Sequence, residues 1–341
     1  MSEAELGTRR EFGTLADGTV IEAVAIGAGP LRAEVITWGA VIRDVRFEGV
    51  DHPLVLGFER LEDYVGQSPY FGATVGRFAN RIARGRFKLD GEIHELPCND
   101  GDNHLHGGPH GFGTRVWTIE SLTQSSVLLK LVSADGDQGY PGEVTAECSY
   151  EVSADGTLIV SYSASTDRET VVNLAQHTYF NLDGAPTILD HKLQLAADAY
   201  LPVDSGYIPT GELKPVEGTP FDFRSLRVVR PEGAEATPPY DNNFCLAAHR
   251  RPEPAFAARL EGRDGTLSME LWTTEPGVQF YDGFQIAVTA PGLGGRTYPK
   301  HAGLCLEAQL WPDAPNQSDF PSATLKPGET YWQRTEFRFR A

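Results

Sequence analysis

Residues 304–313, Leu-Cys-Leu-Glu-Ala-Gln-Leu-Trp-Pro-Asp, place a carboxylate and an amide two residues apart. Apolar and polar residues alternate here, which predicts a β-strand that projects Glu307 and Gln309 from one face. The strand ends after Trp311, because proline cannot donate to a sheet ladder. Carboxylates and amides bind sugar hydroxyls, and an indole can cover the apolar face of a sugar. Taken alone, an outward-facing glutamate on a solvated strand is the simpler interpretation.

A second candidate segment, residues 71–82, reads Phe-Gly-Ala-Thr-Val-Gly-Arg-Phe-Ala-Asn-Arg-Ile. It is rich in turn formers, and its main polar groups are Arg77, Asn80 and Arg81. The planar guanidinium of an arginine beside a pocket can hydrogen-bond several sugar oxygens. A surface arginine in a weak ion pair is the alternative, since arginine is mostly exposed and such pairs are common.

Residues 103–110, Asn-His-Leu-His-Gly-Gly-Pro-His, are the richest in groups that could bind a ligand. If this segment is a strand, His104 and His106 share one face, and the two glycines let another chain or a ligand approach closely. With His110 as a third imidazole the cluster could begin a metal site, although no glutamate stands at a suitable offset within it. Sugar contact, a structural role and metal binding are all open at this point.

Three further polar residues stand among aromatic ones. His177 lies in residues 173–182, Asn-Leu-Ala-Gln-His-Thr-Tyr-Phe-Asn-Leu. Its imidazole suits proton transfer near neutral pH, and a hydrogen-bonded structural histidine is the alternative. Asp241, in Tyr-Asp-Asn-Asn-Phe, could accept hydrogen bonds from sugar hydroxyls or shape an Asx turn. Gln279, in Gly-Val-Gln-Phe-Tyr, could bind sugar likewise or be an exposed strand amide.

The composition is that of a globular protein and limits the partners. The 341 residues are 40% hydrophobic and 22% charged, which supports a large core. The formal net charge of −18 and the pI of about 4.9 argue against nucleic acid or an anionic membrane as partner, since both require a basic surface. The charge mostly promotes solubility and says little about the fold.

Two features predict a cytoplasmic protein. Residues 1–10 contain no apolar stretch typical of a secretory signal, and no apolar run is long enough to span a bilayer. Cys98, Cys148, Cys245 and Cys305 are far apart and form no C-x-x-C pair. We expect reduced thiols rather than a disulfide framework or a zinc site.

The elements that must position these residues are mostly strands. Asp-Gly hairpin signatures occur at 17–18, 90–91, 155–156 and 264–265, between runs with strand patterns. The predicted strands are 12–15, 19–26, a run over 31–47 that continues past a glycine, 86–89, 92–96, 148–152, 157–163 and 266–273.

Helical patterns are sparse. We expect one or two short turns at 60–65 and another at 80–83, while 230–239 reads as an exposed loop. No strand–helix repeat and no Gly-rich nucleotide loop is present. The sequence predicts an all-β protein, one large antiparallel β-sandwich or barrel-like domain over residues 1–341, with few short helices.

Together these segments resemble the aldose 1-epimerase (mutarotase) family. Two more contribute, Pro-Thr-Gly-Glu at 209–212 and Leu-Glu-Ala-Gln-Leu-Trp-Pro-Asp-Ala-Pro-Asn-Gln at 306–317. The matching segments follow the family's order from about residue 71 to the C-terminus: 76–82, 103–108, 173–182, 209–212, 240–244, 277–281 and 306–317. One such segment would be weak support, whereas the ordered set is specific.

The resemblance implies a galactose mutarotase-like β-sandwich that interconverts the α and β anomers of free hexoses or pentoses. It also implies that no metal or organic cofactor is needed. Glu307 matches the family's general base and His177 its general acid. The positions that match sugar-binding residues are His106, Arg81, Asn80, Asp241 and Gln279. We expect a monomer or homodimer.

One departure from the family pattern is visible. The family usually has Gly-Phe-Asp ahead of its tryptophan, whereas here Gly113 and Thr114 stand in Gly-Phe-Gly-Thr-Arg-Val-Trp. The departure leaves the preferred sugar open. Two alternatives to an epimerase remain: a non-catalytic carbohydrate-binding or sugar-sensing protein on the same fold, and a cupin-like metal enzyme that uses His104, His106 and His110.

Overall fold

Strands dominate the structure, as the alternating patterns predict. A computed structural model of the chain describes residues 5–67, 70–230 and 238–341. The strands that pair in its sheets run antiparallel, which confirms the all-β class.

The strands in chain order are β1 (Arg9–Thr14), β2 (Val20–Ala28), β3 (Leu31–Ile36), β4 (Val41–Phe47), β5 (Ala73–Val75), β6 (Arg81–Ile82), β7 (Arg86–Leu89), β8 (Glu92–Glu95), β9 (His104–Leu105), β10 (Thr118–Leu122), β11 (Ser126–Ser133), β12 (Val144–Ser153), β13 (Thr157–Thr166), β14 (Thr170–Val171), β15 (Ala175–His177), β16 (Tyr179–Phe180), β17 (Lys192–Leu195), β18 (Ala199–Tyr200), β19 (Lys214–Pro215), β20 (Arg227–Val228), β21 (Asp241–Cys245), β22 (Ala255–Glu261), β23 (Ser268–Thr273), β24 (Gly277–Tyr281), β25 (Leu304–Gln309), β26 (Thr324–Leu325) and β27 (Tyr331–Arg340). The described ranges also contain the α-helix α1 (Leu61–Gln67) and short 3₁₀ turns at Ala83–Gly85, Phe112–Thr114, Asp137–Gly139, Leu293–Gly295 and Ala314–Asn316.

Two sheets form the body of the molecule. The larger has the order β10-β11-β12-β13-β27-β23-β22-β17-β20, and the smaller has the order β16-β25-β24-β21-β18-β19. Buried side chains from both enter one hydrophobic core, such as Leu129 and Tyr162 from the larger sheet and Val278 and Leu306 from the smaller. This shared core supports the sandwich architecture that the sequence predicts.

A hairpin forms at each of the four Asp-Gly signatures. β12 and β13 pair along their whole length across Gly156, whose φ of +82° suits glycine. The predicted run over residues 31–47 instead divides into β3 and β4, which pair with each other. The chain reverses at Gly39, which adopts a φ of +64°.

The helical predictions had mixed outcomes. The turn expected at 60–65 is confirmed as α1, but the one expected at 80–83 is wrong, because Arg81–Ile82 form β6. Asn80 adopts a φ of +62°, a left-handed conformation that asparagine tolerates and that interrupts a right-handed helix. Most of the loop predicted at 230–239 lies outside the described residues. Within those that are described, no helix is both long enough and apolar enough to cross a membrane.

Three neighbouring strands of the smaller sheet place candidate residues side by side. In the register of β21, β24 and β25, Asn243 lies opposite Gln279, and Gln279 lies opposite Glu307. Asp241 is two residues before Asn243 and therefore projects from the same face. The opposite face of β25 packs Leu304 and Leu306 into the core.

Candidate active site

A cavity of about 220 Å³ lies on this face of the smaller sheet. It is smaller than the roughly 300–1,000 Å³ of a drug-sized pocket, so its occupant must be small. Its lining includes six of the seven predicted site residues, and the full lining is Tyr70, Asn80, Arg81, Leu105, His106, His177, Tyr179, Asp241, Tyr281, Gln285 and Glu307.

Asp241, Gln279 and Glu307 form a carboxylate–amide–carboxylate row on this face, and the two acids line the cavity. The amide nitrogen of Gln279 donates to Oδ1 of Asp241 over 2.7 Å, so Gln279, the seventh predicted residue, contacts the lining without being part of it. Glu307 Oε2 and Gln279 Oε1 are buried and have no hydrogen-bond partner among the described residues. Buried acceptors without donors are costly, and a sugar hydroxyl in the cavity would satisfy that of Glu307.

His177 and Glu307 meet across the cavity although 129 residues separate them in the chain. His177 ends β15, which pairs with β5 and brings the imidazole over β25. The distance from Nε2 of His177 to Oε1 of Glu307 is 3.7 Å, and both side chains are almost fully buried. The structure therefore brings the predicted base and acid together at one surface.

Asn80 fixes the protonation of His106. The backbone N–H of Asn80 donates to Nδ1 of His106 over 3.1 Å, so the proton of the neutral ring must be on Nε2. His106 is thus a hydrogen-bond donor toward the cavity. The side-chain oxygen of Asn80 accepts the N–H of Arg81, which leaves its amide nitrogen for a ligand.

Arg81 is held between two acids and an aromatic ring. Its Nε donates to Asp100 over 2.7 Å, and its Nη1 lies 3.7 Å from Asp241. The ring of Tyr207 covers the guanidinium, with the ring centroid 4.8 Å from the central carbon. The charge is therefore oriented before any ligand binds, which reduces the entropy lost on binding.

Burial shifts the pKa values of both Glu307 and His177 away from their ordinary values. It raises the pKa of Glu307 well above its ordinary value, an effect that Asp241 reinforces and Arg81 opposes. Burial also lowers the pKa of His177 from its ordinary 6.5 to about 4. A nearby carboxylate tends to keep an imidazole protonated, but desolvation is the larger effect on His177 in the empty site. Of the two groups in the empty site, Glu307 therefore holds a proton more readily than His177.

Tyrosines, not the predicted tryptophan, form the aromatic wall. The Tyr70 ring lies 4.6 Å from the His106 ring, and the Tyr179 ring stacks on His177 at 5.1 Å. Trp311 instead donates to the Pro276 carbonyl inside the protein, because the chain has left the strand before it. Gln309 is fully buried beyond the cavity rather than beside the ligand.

The other histidines of segment 103–110 do not reach the cavity. His106 has a φ of +51°, so the strand ends before it and the shared face expected with His104 is lost. His104 donates through Nδ1 to the Pro97 carbonyl, and its Nε2 is 2.8 Å from the Tyr140 hydroxyl. His110 is exposed on the surface. These three residues do not form the cupin-like group.

Arg77 has a structural role rather than either of the roles considered for it. It is buried, and its guanidinium donates to the carbonyls of Pro141 and Gly142 and to the hydroxyl of Ser133. The glycine after His106 also serves the fold: a Cβ on Gly107 would lie 1.8 Å from a backbone oxygen. The glycines of this segment thus admit another part of the chain, one of the two outcomes that we expected.

The possible metal-ligand atoms of His106, His177 and Glu307 lie within 4.8 Å of one another, which raises the question of a metal site. The hydrogen bond from Asn80 to His106 argues against a metal here. Because Nδ1 of His106 already accepts an N–H, Nε2 carries the ring proton and has no lone pair for a cation. The trio suits hydrogen bonding to a neutral ligand better than metal binding.

A larger cavity of about 540 Å³ lies elsewhere, beside Glu34 and Arg43. Its charges neutralise one another: Arg10 donates to both oxygens of Glu34, and Arg43 contacts Glu34 and Glu59. The smaller cavity at Glu307, with unpartnered buried acceptors, is therefore the better candidate for a ligand site.

Several residues at the site were not identified from sequence. Three of them, Tyr179, Tyr281 and Cys305, lie within segments 173–182, 277–281 and 304–313. The two-residue period of each strand places them on the same face as a predicted site residue. Asp100 and Tyr207 reach Arg81 only through the folded chain and carry no local signal. The departure at Gly113 and Thr114 lies outside the described lining of the cavity.

The fold and the site define a class: a β-sandwich protein with a buried histidine and glutamate side by side in a small cavity. Within that class, the chain belongs to the aldose 1-epimerase family, whose model matches residues 22–338.

Known proteins agree with this assignment. The chain is 44% identical to a galactose mutarotase from Rattus norvegicus, over 97% of this chain and 98% of that protein. It is 39% identical to an aldose 1-epimerase from Escherichia coli, over 90% and 91% of the two chains. An aldose epimerase homologue from C. elegans superposes with a TM-score of 0.86 at 29% identity, over 93% of this chain and 99% of that one.

Proposed function

We propose that the protein is an isomerase that interconverts the α and β anomers of free aldoses, with Glu307 as general base and His177 as general acid. The observation that carries the residue roles is the 3.7 Å approach of these two side chains in one small cavity. Membership of the aldose 1-epimerase family supports the reaction itself.

Ring opening requires a proton to leave the C1 hydroxyl and another to reach the ring oxygen. Both oxygens are bonded to C1, so a base and an acid that stand side by side can serve them together. The carboxylate of Glu307 takes the first proton, and the imidazolium of His177 supplies the second. The C1–O5 bond then breaks and C1 becomes an aldehyde carbon.

Closure reverses these steps on the other face of the carbonyl. The aldehyde turns about the C1–C2 bond, His177 takes the proton from the C5 hydroxyl, and Glu307 returns one to the new C1 hydroxyl. The distal hydroxyls must stay bound while C1 turns. Asp241 and Arg81 can bind the distal hydroxyls. The Nε2–H of His106 can stabilise the charge that develops on oxygen as the ring opens and closes.

A proton that the empty pair holds on Glu307 has to reach His177 before the acid can act. A sugar hydroxyl that donates to Glu307 favours the ionised carboxylate, and the nearby Arg81 does the same. The proton can then pass to Nε2 of His177. The non-catalytic sugar-binding alternative has no use for such a pair.

Polarimetry tests the proposed function. Freshly dissolved α-D-glucose, α-D-galactose and a panel of pentoses are followed with and without the protein. We expect the approach to the anomeric equilibrium to accelerate for at least one of them, in proportion to protein concentration. A rate equal to the spontaneous one for every sugar, despite saturable binding, would support the sugar-sensing alternative instead.

The shifted pKa values predict the pH profile of kcat/KM, which reports the free enzyme. A second proton on the pair leaves it without a base, and burial places this step at about pH 4 instead of 6.5. Activity should therefore persist from pH 7 down to pH 5.5 and fall only at lower pH. At high pH it is lost when the single proton leaves. An acid limb near 6.5, in protein shown to be folded by circular dichroism, would contradict the assignment.

Asp241→Asn is expected to weaken sugar binding more than turnover. A hydrogen bond to a charged acceptor contributes roughly 1.5–3 kcal/mol, so KM should rise about tenfold or more while kcat changes less. The loss of this negative charge also makes Glu307 easier to ionise. Asp264→Asn, at an exposed turn, is the control. A variant with an unchanged KM would remove Asp241 from the binding residues.

We also propose that residues 1–341 form a single domain that acts in the cytoplasm as a monomer or homodimer, without nucleic acid or membrane partners. The shared core and the pairing of the C-terminal strand β27 with both β13 and β23 support a single domain. The net charge of −18 supports the choice of partners.

A further inference from the structure

Cys305 contacts the proposed acid from inside the protein. It precedes Glu307 by two residues on β25, projects from the same face, and is fully buried. Its Sγ lies 3.5 Å from Nδ1 of His177, the ring nitrogen on the side away from Glu307. The mechanism above assigns no role to this thiol.

The neighbours of Nδ1 are acceptors. Nδ1 is the ring nitrogen nearest the main chain, and the carbonyl oxygen of His177 itself interacts with the ring; a carbonyl can only accept. The Tyr179 hydroxyl hydrogen-bonds the Cys305 thiol in the sense that favours a lower thiol pKa, so the hydroxyl donates and the sulfur already acts as an acceptor. A thiol sulfur has a second lone pair, which can accept the Nδ1–H of His177 across the 3.5 Å contact.

We propose that Cys305 is a positioning residue for the epimerase reaction: its sulfur accepts Nδ1–H of His177 and so keeps Nε2 as the atom that gains and releases the catalytic proton. The inference rests on the function proposed for His177. A neutral imidazole carries its proton on only one nitrogen, and the partner of the other nitrogen decides which. With Nδ1 protonated, the Nε2 lone pair faces the carboxyl group of Glu307, from which the proton comes.

A thiol suits this position better than a carboxylate would. A carboxylate beside Nδ1 would stabilise the imidazolium and make it a weaker acid, whereas a neutral sulfur fixes the tautomer with little such effect. His106 shows the opposite arrangement, since a backbone N–H fills its Nδ1 and leaves Nε2 as a donor. The two histidines of the cavity are thus held in different tautomers for different tasks.

The first experiment reads the tautomer directly. Long-range ¹H–¹⁵N correlation spectra of the labelled full-length protein at pH 7 distinguish protonated from bare ring nitrogens, and the His177→Asn variant assigns the signals. We expect wild type to show a protonated Nδ1 and a bare Nε2. Cys305→Ala should show a mixture of the two tautomers. A protonated Nε2 in wild type, or an unchanged tautomer in Cys305→Ala, would overturn the proposal.

The second experiment measures turnover of the same variants by polarimetry. Cys305→Ala should lower kcat severalfold, in proportion to the fraction of rings in the wrong tautomer, while KM stays within about twofold because the ring still binds the same sugar. Cys305→Ser, whose hydroxyl also accepts, should recover most of the loss. Cys148→Ala is the matched control, since this thiol is equally buried but contacts Thr74 instead of His177.

The outcomes separate this inference from the proposed function. An inactive wild type contradicts the epimerase assignment whatever the tautomer. An active wild type with an inactive His177→Asn, together with an unchanged kcat in Cys305→Ala, contradicts only the role of Cys305. Thermal melting of each variant confirms that any lost activity comes from folded protein.

Discussion

Replacement of Glu307 by glutamine is expected to lower kcat for mutarotation between about 10²- and 10⁴-fold, the range typical of a lost general base. The amide keeps the size of the side chain but cannot take the C1 hydroxyl proton. It also ends the proton exchange with His177, whose Nε2 lies 3.7 Å away. Polarimetry under saturating sugar measures the loss, after subtraction of the spontaneous rate.

The folded state should tolerate this substitution. Burial raises the pKa of Glu307, which means that the folded protein disfavours its ionised form, and a neutral amide avoids that cost. The melting temperature of Glu307→Gln should therefore equal or exceed that of wild type near neutral pH. Glu151→Gln, the same change at an exposed position of β12, is the control. Glu307→Gln with wild-type kcat would exclude Glu307 as the base.

His177→Asn is the second large effect, with an expected fall in kcat of about 10²- to 10⁴-fold. Asparagine can donate a hydrogen bond but cannot release a proton to the ring oxygen, so ring opening stalls while sugar still binds. Calorimetric titration with the preferred sugar should give a dissociation constant within about tenfold of the wild-type value. His249→Asn changes an exposed histidine in the same way and should be silent.

The double variant Glu307→Gln/His177→Asn tests whether the two residues act as a pair. Residues that hand one proton between them are strongly non-additive, so the second substitution should add little to the first. Additive losses would mean that the two side chains act in independent steps. Such a result would remove the proton exchange from the mechanism while leaving each residue its own role.

Sequence periodicity predicted the floor of the site well. The two-residue alternation around Glu307 and the Asp-Gly turns depend on short-range geometry, and both correspond to strands in the structure. The family resemblance then selected seven residues that the fold brings to one cavity or its immediate contacts. Their catalytic and binding roles stay predictions until the variants are measured.

The predictions failed where the backbone leaves regular geometry. Asn80 and His106 both adopt positive φ, which ended a predicted helix at the first and a predicted strand face at the second. The prediction that Trp311 covers the sugar was wrong for a related reason: the strand stops at Gln309 and the indole turns inward. Local patterns assume that an element continues, and they carry no information on where a left-handed residue interrupts it.

Contacts between distant segments were the other source of error. Tyr207 lies more than one hundred residues from Arg81, and Cys305 is as far from His177, yet each pair is in contact. The sequence also could not predict the pKa shifts of His177 and Glu307, because these shifts come from burial in the folded protein.

The strand that carries Glu307 is anchored on its reverse side by Leu304 and Leu306 in the hydrophobic core. Because β25 is packed in this way, the carboxylate of Glu307 cannot shift to fit a different sugar. The proposed catalytic residues are therefore a poor target for redesign. Adaptation to another aldose should accumulate at exposed lining positions outside the strands, such as Gln285. A library of variants restricted to such positions should alter the substrate range while Glu307 and the neighbouring residues on the sheet keep their positions.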